Sequence, residues 1–529
     1  MARTFKTSGI FKLRFGGGLH TRASSEDIDP RECVDGANFS LDADNQQFRP
    51  RKPFDLIGTL PNALEVRGGA TLLKSDGTVS TLIQGGGKVY SWDGLTTFTE
   101  VASVSSSAKL RGRIDQNWQL DDKVIITDVA LVDPVKEWNG TTFQNVTFTD
   151  EDGYNFGTLK ARYCYVSNER AIFANVDSNG VATPHLIVGS KRGDYTNISI
   201  VNRPSSAASA LDPFFLVQPD NRYINGIIEA FGQTVISSEQ GSLYKLMGAD
   251  ATDFEMALLY TKGGAAGDEA ISLSNNDVVY GAQGRIKTLR GVQSFGDVES
   301  SDLSFWISDE VEDFSDWLVA TNKRLERTYF HPVGESVIYV LHHSLIGSPI
   351  SPWSKWTTNH TMSLNPTFLM SVLSPEDGLE YVLMGDSTGK VYRMEGTGTS
   401  GDGGTTAIAA FRLSKLFSAQ SEGKIFDSEG YIRYRRQSTV TATMKFEYSG
   451  EHVFKEAITF AIPGPTYDAV YGTTAYYGTG KFYGTDEGGI VRQPFKIPGG
   501  SNDFQIRLTV EDVDDWTINE IGVRYEESS

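Results

Sequence analysis

The chain has 529 residues, 39% hydrophobic and 22% charged, and this composition is that of a folded globular protein with two or three domains. Its 67 acidic residues outnumber its 48 basic ones, and the net charge of -19 argues against a protein that grips nucleic acid through the phosphates. Two cysteines, Cys33 and Cys164, exclude a disulfide framework and a cysteine zinc site, and no apolar run is long enough to span a membrane.

Residues 1–53 predict an extended arm with the first strands of the protein rather than a closed domain. The segment is rich in glycine, as in Phe15-Gly16-Gly17-Gly18-Leu19, and basic at Arg49-Pro50-Arg51. Its start lacks the apolar core of a signal peptide, so we expect the chain to fold in a reducing cytosol. Asp42-Ala43-Asp44-Asn45 begins like a calcium loop but lacks the glycine and the distal glutamate of such loops.

Residues 54–400 carry a pattern that repeats about every 45 to 55 residues, which is the length of a four-stranded propeller blade. The segment that ends in Trp92-Asp93-Gly94 reappears about 46 residues later as Trp138-Asn139-Gly140, and weaker copies follow as far as Tyr392. The Asp-Gly and Asn-Gly pairs predict type I′ hairpins, because both residues tolerate positive φ. The pattern predicts a β-propeller of about seven four-stranded blades.

Helical periodicity is almost absent from the chain. The best helical candidate is Ser304–Leu325, where aromatic and aliphatic residues recur at mixed three- and four-residue spacings. That stretch predicts either a short helix or a series of turns.

Residues 401–529 predict a small antiparallel β-sandwich-like domain, because their strands alternate apolar and polar residues. The glycine-rich segment Glu395–Thr406 before it predicts a flexible linker or a long surface loop. Within the domain, Tyr471, Tyr477 and Tyr483 each precede a glycine at six-residue spacing. These tyrosines form either an aromatic ladder on one face of a strand or a protruding loop that contacts a partner chain.

The sequence contains no nucleophile elbow, zinc-binding helix or phosphate loop in a suitable context. His342 and His343 are neighbours on a predicted strand, so they point to opposite faces and would not share a metal. Three acidic clusters have three possible interpretations: solvated loops, calcium-binding loops or a pair of catalytic carboxylates. The clusters are Asp150-Glu151-Asp152, Glu310 with Glu312-Asp313, and Glu511-Asp512 with Asp514-Asp515. We predict a protein that is not an enzyme and has no catalytic residue, metal or cofactor.

Several short motifs resemble those of the tail nozzle and tail hub proteins of short-tailed bacteriophages. They are Phe15-Gly-Gly-Gly-Leu-His-Thr-Arg22, Ile28-Asp29-Pro30, Gly36-Ala37-Asn38-Phe39, Gly241–Leu246, Val278–Gly284, Trp353–Trp356, Gly385–Tyr392 and the Tyr-Gly repeat. The resemblance covers most of the chain, and its motifs are short and characteristic of a fold rather than of a reaction.

The resemblance implies a ring of copies, a hexamer, at the distal end of a virion tail that is assembled in the bacterial cytoplasm. Its partners would be further copies, the tail adaptor and the fibre or spike proteins, with viral DNA passing through the lumen without sequence-specific binding and with no stable membrane insertion. The -19 charge suits a channel past which DNA slides, although it also keeps any soluble protein dispersed. The residues predicted as candidate assembly contacts are Phe15, Arg22, Arg49, Arg51, Tyr471, Tyr477 and Tyr483.

Two other functions fit a propeller of this kind. One is a receptor-binding or glycan-degrading tail propeller, which requires exposed aromatic residues and two carboxylates that converge on one face. The other is a propeller that binds partners at a host cell surface, and the absence of a signal peptide counts against it.

Overall fold

The protein is almost entirely β-strand in a computed structural model. The structure describes residues 8–41, 47–112, 119–149, 155–178, 180–198, 211–230, 232–239, 241–248, 251–261, 263–274, 277–292, 297–357, 365–396, 402, 406–418, 424–435, 440–448, 454–462, 490–496, 503–512 and 516–527. Within these ranges, no helix has both the length and the apolar character needed to cross a membrane.

In the part of the chain that the structure describes, seven sets of four strands form the blades of a β-propeller, as the sequence predicts. In sheet order, blade 1 is Val66–Leu73, Val79–Gly85, Lys88–Trp92 and Phe98–Ser103; blade 2 is Leu110–Gly112, Lys123–Asp128, Lys136–Trp138 and Phe143–Asn145; blade 3 is Leu159–Ser167, Arg170–Ser178, Val181–Gly189 and Phe214–Val217; blade 4 is Ile224–Ala230, Gln233–Ser238, Leu243–Met247 and Glu255–Tyr260; blade 5 is Ile271–Ser274, Asp277–Ala282, Arg285–Val292 and Asp297–Asp302; blade 6 is Trp317–Asn322, Arg327–Pro332, Val337–His342 and Trp353–Thr357; blade 7 is Phe368–Leu373, Glu380–Gly385, Lys390–Arg393 and Asp55–Thr59. The short strand Gln119–Leu120 pairs with Lys123–Asp128, and Phe148–Thr149 pairs with Asn155–Gly157 between blades 2 and 3.

The blades close into a ring through their inner strands. Phe368–Leu373 of blade 7 contacts Val66–Leu73 of blade 1, and inner strands also contact one another at the other junctions except that between blades 2 and 3, where Lys123–Asp128, the second strand of blade 2, contacts Leu159–Ser167. Blades 1 and 2 also share one continuous sheet, because Arg111 pairs in parallel with Gly69. The outermost strand of blade 7 is Asp55–Thr59, so residues from the start and the end of the propeller sequence meet in one sheet.

The two repeated tryptophans occupy equivalent places in their blades. Trp92 ends the third strand of blade 1 and pairs with Phe98 of the fourth strand, while Trp138 ends the third strand of blade 2 and pairs with Phe143. Trp92 packs in the core between blades 7 and 1, and Trp138 packs in the core between blades 1 and 2. The sequence repeat therefore records the residues that fill successive interblade cores.

The hairpin turns fall where the Asp-Gly and Asn-Gly pairs predict them, but they are not of type I′. Gly77, Gly94 and Gly140 have φ of 84°, 90° and 92°, whereas the preceding Asp or Asn stays outside the left-handed region. The side chain of that residue accepts backbone hydrogen bonds instead, as Asp93 Oδ1 does from Leu95 N at 2.8 Å and from Thr97 N at 3.0 Å. An Asx turn with one left-handed glycine replaces the expected turn. Asn179 lies outside the described residues.

The stretch with the best helical spacing forms only short helical turns. A 3-10 helix covers Leu303–Ile307 and one α-helical turn covers Ser308–Val311, after which Trp317–Asn322 is the inner strand of blade 6. A second 3-10 turn covers His343–Leu345. Trp317 is fully buried, so strand packing determines the conformation from that residue onward.

By contacts the chain divides into two compact units. The first is the propeller unit, Leu56–Ile338 with Leu364–Met394. The second, here called the terminal unit, is Met1–Asp55, Tyr339–Ser363 and Glu395–Ser529. The sequence predicts two separate regions, 1–53 and 401–529, whereas the contacts group them in one unit.

The terminal unit is built from antiparallel sheets and has the predicted sandwich-like character. One sheet has the order Ser8–Leu13, Thr517–Glu527, Lys424–Arg435 and Ile490–Lys496; the other has the order Cys33–Ala37, Ile408–Ser414, Asp503–Asp512, Val440–Tyr448 and Phe454–Ile462, with Phe417–Ser418 beside Asp503–Asp512; Phe39–Ser40 and Arg49–Pro50 form a separate pair. The rings of Phe11 and Phe417 lie 4.6 Å apart and join the two sheets. Ser8 pairs with Glu526, so the predicted arm is a strand of this unit.

Candidate functional site

Charged side chains gather where the inner strands of the propeller begin. The residues involved come from five different blades or from the segments just before them, and we call them the axial cluster. It consists of Arg67, Arg111, Arg162, Asp268, Glu269 and Asp316. Because the inner strands surround the propeller axis, residues at their ends converge although they are far apart in sequence.

A buried ion pair between Arg111 and Glu269 crosses the axis. Arg111 lies on the inner strand of blade 2 and Glu269 lies two residues before that of blade 5, and these blades are not neighbours in the ring. Arg111 Nη2 donates to Glu269 Oε1, and each side chain is only 6% exposed. Arg111 Nη1 also donates to the carbonyl oxygens of Arg67 at 2.5 Å and of Leu110 at 2.7 Å. The pair closes the axis at this level.

A second ion pair reinforces this closure. Arg162 Nη1 of blade 3 donates to Asp268 Oδ1 at 2.9 Å, and the Tyr163 hydroxyl donates to the same oxygen at 3.1 Å. Burial and the nearby Asp268 carboxylate raise the pKa of Tyr163 well above its ordinary value, so the phenol stays protonated and keeps donating. Partial burial, followed by the Asp268 charge, raises the pKa of Asp316.

A cavity of about 200 Å³ opens beside the axial cluster. Its charged and aromatic lining includes Glu65, Lys109, Asp268, Glu269, Asp316 and Trp317. Glu65 is already paired, since its Oε2 accepts from Arg67 Nη2 at 2.6 Å. Glu269 Oε2 is buried and has no hydrogen-bond partner among the residues that the structure describes. The cavity therefore offers a ligand a buried acceptor.

In the described part of the chain, no three His, Cys, Asp or Glu side chains come together in a way that would hold a metal ion. The histidine pair lies elsewhere, in the terminal unit: His342 Nε2 is 2.9 Å from Ser354 Oγ, and burial lowers the pKa of His343 to about 4. Only His342 is in the predicted strand, because His343 begins a 3-10 turn.

Of the acidic clusters, one is fully described, and it is a surface turn. Glu310 is half-buried, and Glu312 and Asp313 are exposed after the helical turn. Asp42-Ala43-Asp44-Asn45, Asp150-Glu151-Asp152 and Asp514-Asp515 lie outside the described residues.

Two of the candidate assembly residues are buried inside the terminal unit. Phe15 is 2% exposed, and its ring centroid lies 5.7 Å from the ring centroid of Phe48. Arg51 is also 2% exposed and makes a bidentate ion pair with Asp402, at 2.8 Å from Nη1 and 2.5 Å from Nη2. Both residues therefore support the fold of their own chain. Asp402 lies in the segment predicted as a linker or loop, where it is a buried anchor.

The other candidate assembly residues remain predictions. Arg22 is exposed, and Arg49 is half-buried in the strand Arg49–Pro50. Tyr471, Tyr477 and Tyr483 lie outside the described residues.

The axial cluster was not among the residues predicted from sequence. Arg111 and Glu269 are 158 positions apart, so no local pattern pairs them. The sequence feature that could have indicated the axial cluster is a charged residue at or just before the start of an apolar inner strand, as in Leu110-Arg111-Gly112 and Asp268-Glu269-Ala270-Ile271.

No family model matches the sequence, and no curated protein matches it. Among solved structures, virginiamycin B lyase from Staphylococcus aureus is 9% identical, with 64% of this chain and 98% of that chain covered and a TM-score of 0.40. The computationally designed Ika8 protein is 11% identical, with 64% and 99% covered and a TM-score of 0.36. Sqt1 of Saccharomyces cerevisiae is 10% identical, with 65% and 100% covered and a TM-score of 0.37. Likenesses this distant carry no argument about function.

Proposed function

We propose that this chain is a non-enzymatic structural protein of a bacteriophage tail, a nozzle or hub that forms a ring of copies and conducts viral DNA. The proposal starts from the resemblance of its motifs to those tail proteins. The propeller is the rigid body of the protomer, and the ring and its neighbours in the tail are contacted by other surfaces.

The observation that supports the proposal is that the N-terminal motifs are packing residues. Gly18 approaches the backbone of 351–353 so closely that an added Cβ would lie 2.0 Å from the Trp353 carbonyl oxygen. Asn38 Nδ2 donates to Thr357 Oγ1 at 3.0 Å, and its Oδ1 accepts from Arg51 Nε at 3.1 Å. Motifs whose residues hold the chain together are expected of a protein whose function is its shape.

The axial cluster bears on how DNA would pass. Because the Arg111–Glu269 pair crosses the propeller axis, a duplex cannot pass through the propeller of one protomer. In the proposed function, the DNA channel therefore lies between protomers of the ring, as closed rotational symmetry allows. The net charge of -19 disfavours sticking of DNA to the channel wall.

The test is imaging of the tail that carries this chain. We expect mass spectrometry to find the polypeptide in purified virions, and electron microscopy with symmetry determined from the images to show a closed ring of six copies at the distal end. Virions without the polypeptide, or assembled tails in which it is only a monomer, would contradict the proposal.

The second candidate, a glycan-degrading tail propeller, is favoured by the carboxylates of Asp268, Glu269 and Asp316 at one cavity. It predicts release of reducing ends from a host polysaccharide, and loss of that release in Asp316→Asn. Release of reducing ends that is lost in Asp316→Asn would contradict the proposal that the protein is not an enzyme.

A further inference from the structure

We propose that the cavity beside the axial cluster is a binding site for a primary alkylammonium ion, held by Glu269 and Asp316. This inference is independent of the tail assignment, because it uses only the propeller unit. The ligand is defined by its chemistry: a charged N–H donor at one end of a short alkyl chain.

Glu269, which lines the cavity, has a buried carboxylate oxygen. Arg111 satisfies only Oε1, and Oε2 has no hydrogen-bond partner among the described residues. A buried carboxylate oxygen without a donor costs free energy, so a ligand that donates to it gains a charge-assisted hydrogen bond.

The backbone fixes this carboxylate at the cavity. The Glu269 carbonyl accepts from Val319 N at 2.9 Å, and Glu269 forms a parallel bridge with Leu318 of blade 6. Because the backbone of Glu269 is hydrogen-bonded to blade 6, a ligand meets a preorganised acceptor and does not have to order it.

Asp316 supplies a second acceptor. The Gly267 Cα lies against its carboxylate, since an added Cβ would be 2.2 Å from Asp316 Oδ1, and Gly267 has φ of 111°. Glycine at 267 therefore lets the Asp316 carboxylate approach the segment that carries Asp268 and Glu269. Asp268, Glu269 and Asp316 line the same cavity, and negative charges that share a cavity favour a bound cation.

The remaining lining fits an alkyl chain and limits its length. Trp317, Leu318, Val333 and Pro366 contribute apolar surface, and the volume of about 200 Å³ admits a ligand of a few heavy atoms. An ammonium group would contact the carboxylates while its alkyl chain covers the apolar wall.

Lys109 distinguishes this ligand from others. Its exposed side chain is a positive group at the same cavity and acts on the Asp316 carboxylate. A cationic ligand is repelled by Lys109, whereas an anionic or zwitterionic ligand would be attracted to it.

The experiment is a titration of the full-length protein with n-butylammonium chloride, followed by ligand-detected NMR at constant ionic strength. Tetramethylammonium is the control ligand, because it has the same charge but no N–H donor. We expect saturable binding of n-butylammonium and none of tetramethylammonium.

Four variants test the assignment. We expect Glu269→Gln to weaken n-butylammonium binding about tenfold or more, because the amide presents a donor in place of Oε2. Asp316→Asn should weaken n-butylammonium binding as well. Because this variant leaves the Arg111–Glu269 pair intact, it still tests the site if Glu269→Gln does not fold. Lys109→Gln should tighten n-butylammonium binding by about two- to fivefold. Glu100→Gln, in an exposed pair with Lys88, is the matched control and should leave it unchanged.

Absence of saturable binding, equal binding of both ammonium ions, or weaker binding by Lys109→Gln would overturn the proposal. The last result would indicate a ligand with a negative group. If Asp316→Asn and Glu269→Gln both bind n-butylammonium with unchanged affinity, the ligand binds elsewhere.

Discussion

Two single residues at the axis, Arg111 and Glu269, form a buried ion pair. Arg111 and Glu269 are both withdrawn from water, and each buried ion costs several kcal/mol unless its partner and its hydrogen bonds compensate. Arg111 obtains that compensation from Glu269 and from two backbone carbonyls, and its guanidinium lies 5.3 Å from the Phe368 ring centroid. The Arg111 side chain thus links blades 1, 2, 5 and 7.

Removal of one partner should therefore be costly. We expect Arg111→Met to lower the free energy of unfolding by about 3–5 kcal/mol, since Glu269 is left as a buried charge without a cation. Urea unfolding followed by circular dichroism measures the change. Lys88→Met breaks the exposed Lys88–Glu100 pair and should cost about 0–1 kcal/mol. Equal costs for the two variants would contradict the buried role of Arg111.

His331 makes the propeller sensitive to acid. Burial lowers its pKa from an ordinary 6.5 to about 4, and its Nδ1 lies 2.9 Å from the Val337 carbonyl oxygen, which it meets as a neutral ring. The unfolded state binds the proton more tightly than the folded state does, so stability is lost as pH falls from 6.5 towards 4 and levels off below 4.

Substitution of His331 tests this effect. We expect His331→Asn, whose amide can still donate to Val337, to flatten the decline in unfolding free energy between pH 6.5 and 4 by about 3 kcal/mol. Urea unfolding at a series of pH values measures it. An unchanged pH profile would assign the acid sensitivity to other groups.

At the level of elements, blades 1 and 2 are each specified by a hairpin turn and by a tryptophan that fills the core shared with the preceding blade of the ring. Trp92 and Trp138 stand at the same strand position and pair with a phenylalanine in the same register. The ring closes because Asp55–Thr59 completes blade 7, and Ile57 and Leu60 join the core that also holds Trp92. A strand from the beginning of the propeller sequence thus protects the sheet edge at its end.

Because Trp92 and Trp138 occupy equivalent positions, they should contribute similar amounts to the free energy of unfolding. We expect Trp92→Ala and Trp138→Ala each to cost about 3–5 kcal/mol of unfolding free energy, because each leaves a cavity in an interblade core. Trp306→Ala, at a half-buried residue, is the control and should cost clearly less. Denaturant unfolding of the three variants measures this, and a marked inequality between Trp92 and Trp138 would refute the equivalence.

At the scale of the whole molecule, each of the two units has its own buried core and one cysteine. Cys33 lies in the terminal unit and Cys164 in the propeller unit, and both are buried. Burial raises the pKa of the Cys33 thiol to about 11 and raises that of Cys164 further, so neither thiolate forms near neutral pH.

The two thiols therefore report the unfolding of the two units. We expect neither to react with a thiol reagent in the native protein, and expect Cys33 and Cys164 to become reactive at different urea concentrations, since units with separate cores can unfold separately. Brief labelling followed by peptide mass spectrometry measures each site. Reactivity of either thiol without urea would contradict its burial, and one coincident transition would show that the units unfold together.

The sequence alone was enough to predict the fold class, since its signals are local. A tryptophan followed by Asp-Gly or Asn-Gly marks the end of a strand, its recurrence gives the blade length, and period-two alternation identifies the terminal sheets. The exact turn type was missed, because the side chain of Asp93 competes with the I′ geometry by accepting backbone hydrogen bonds.

Only the tertiary structure decided which distant residues meet. The joining of residues 1–55 with 395–529, the burial of Arg51 against Asp402 and the Arg111–Glu269 pair all connect positions more than 150 residues apart. Local periodicity specifies strands and turns, whereas the partner of a buried charge depends on how the ring closes. A charge in an apolar strand therefore indicated that a partner was needed, and the closed ring alone determined that Glu269 was the partner.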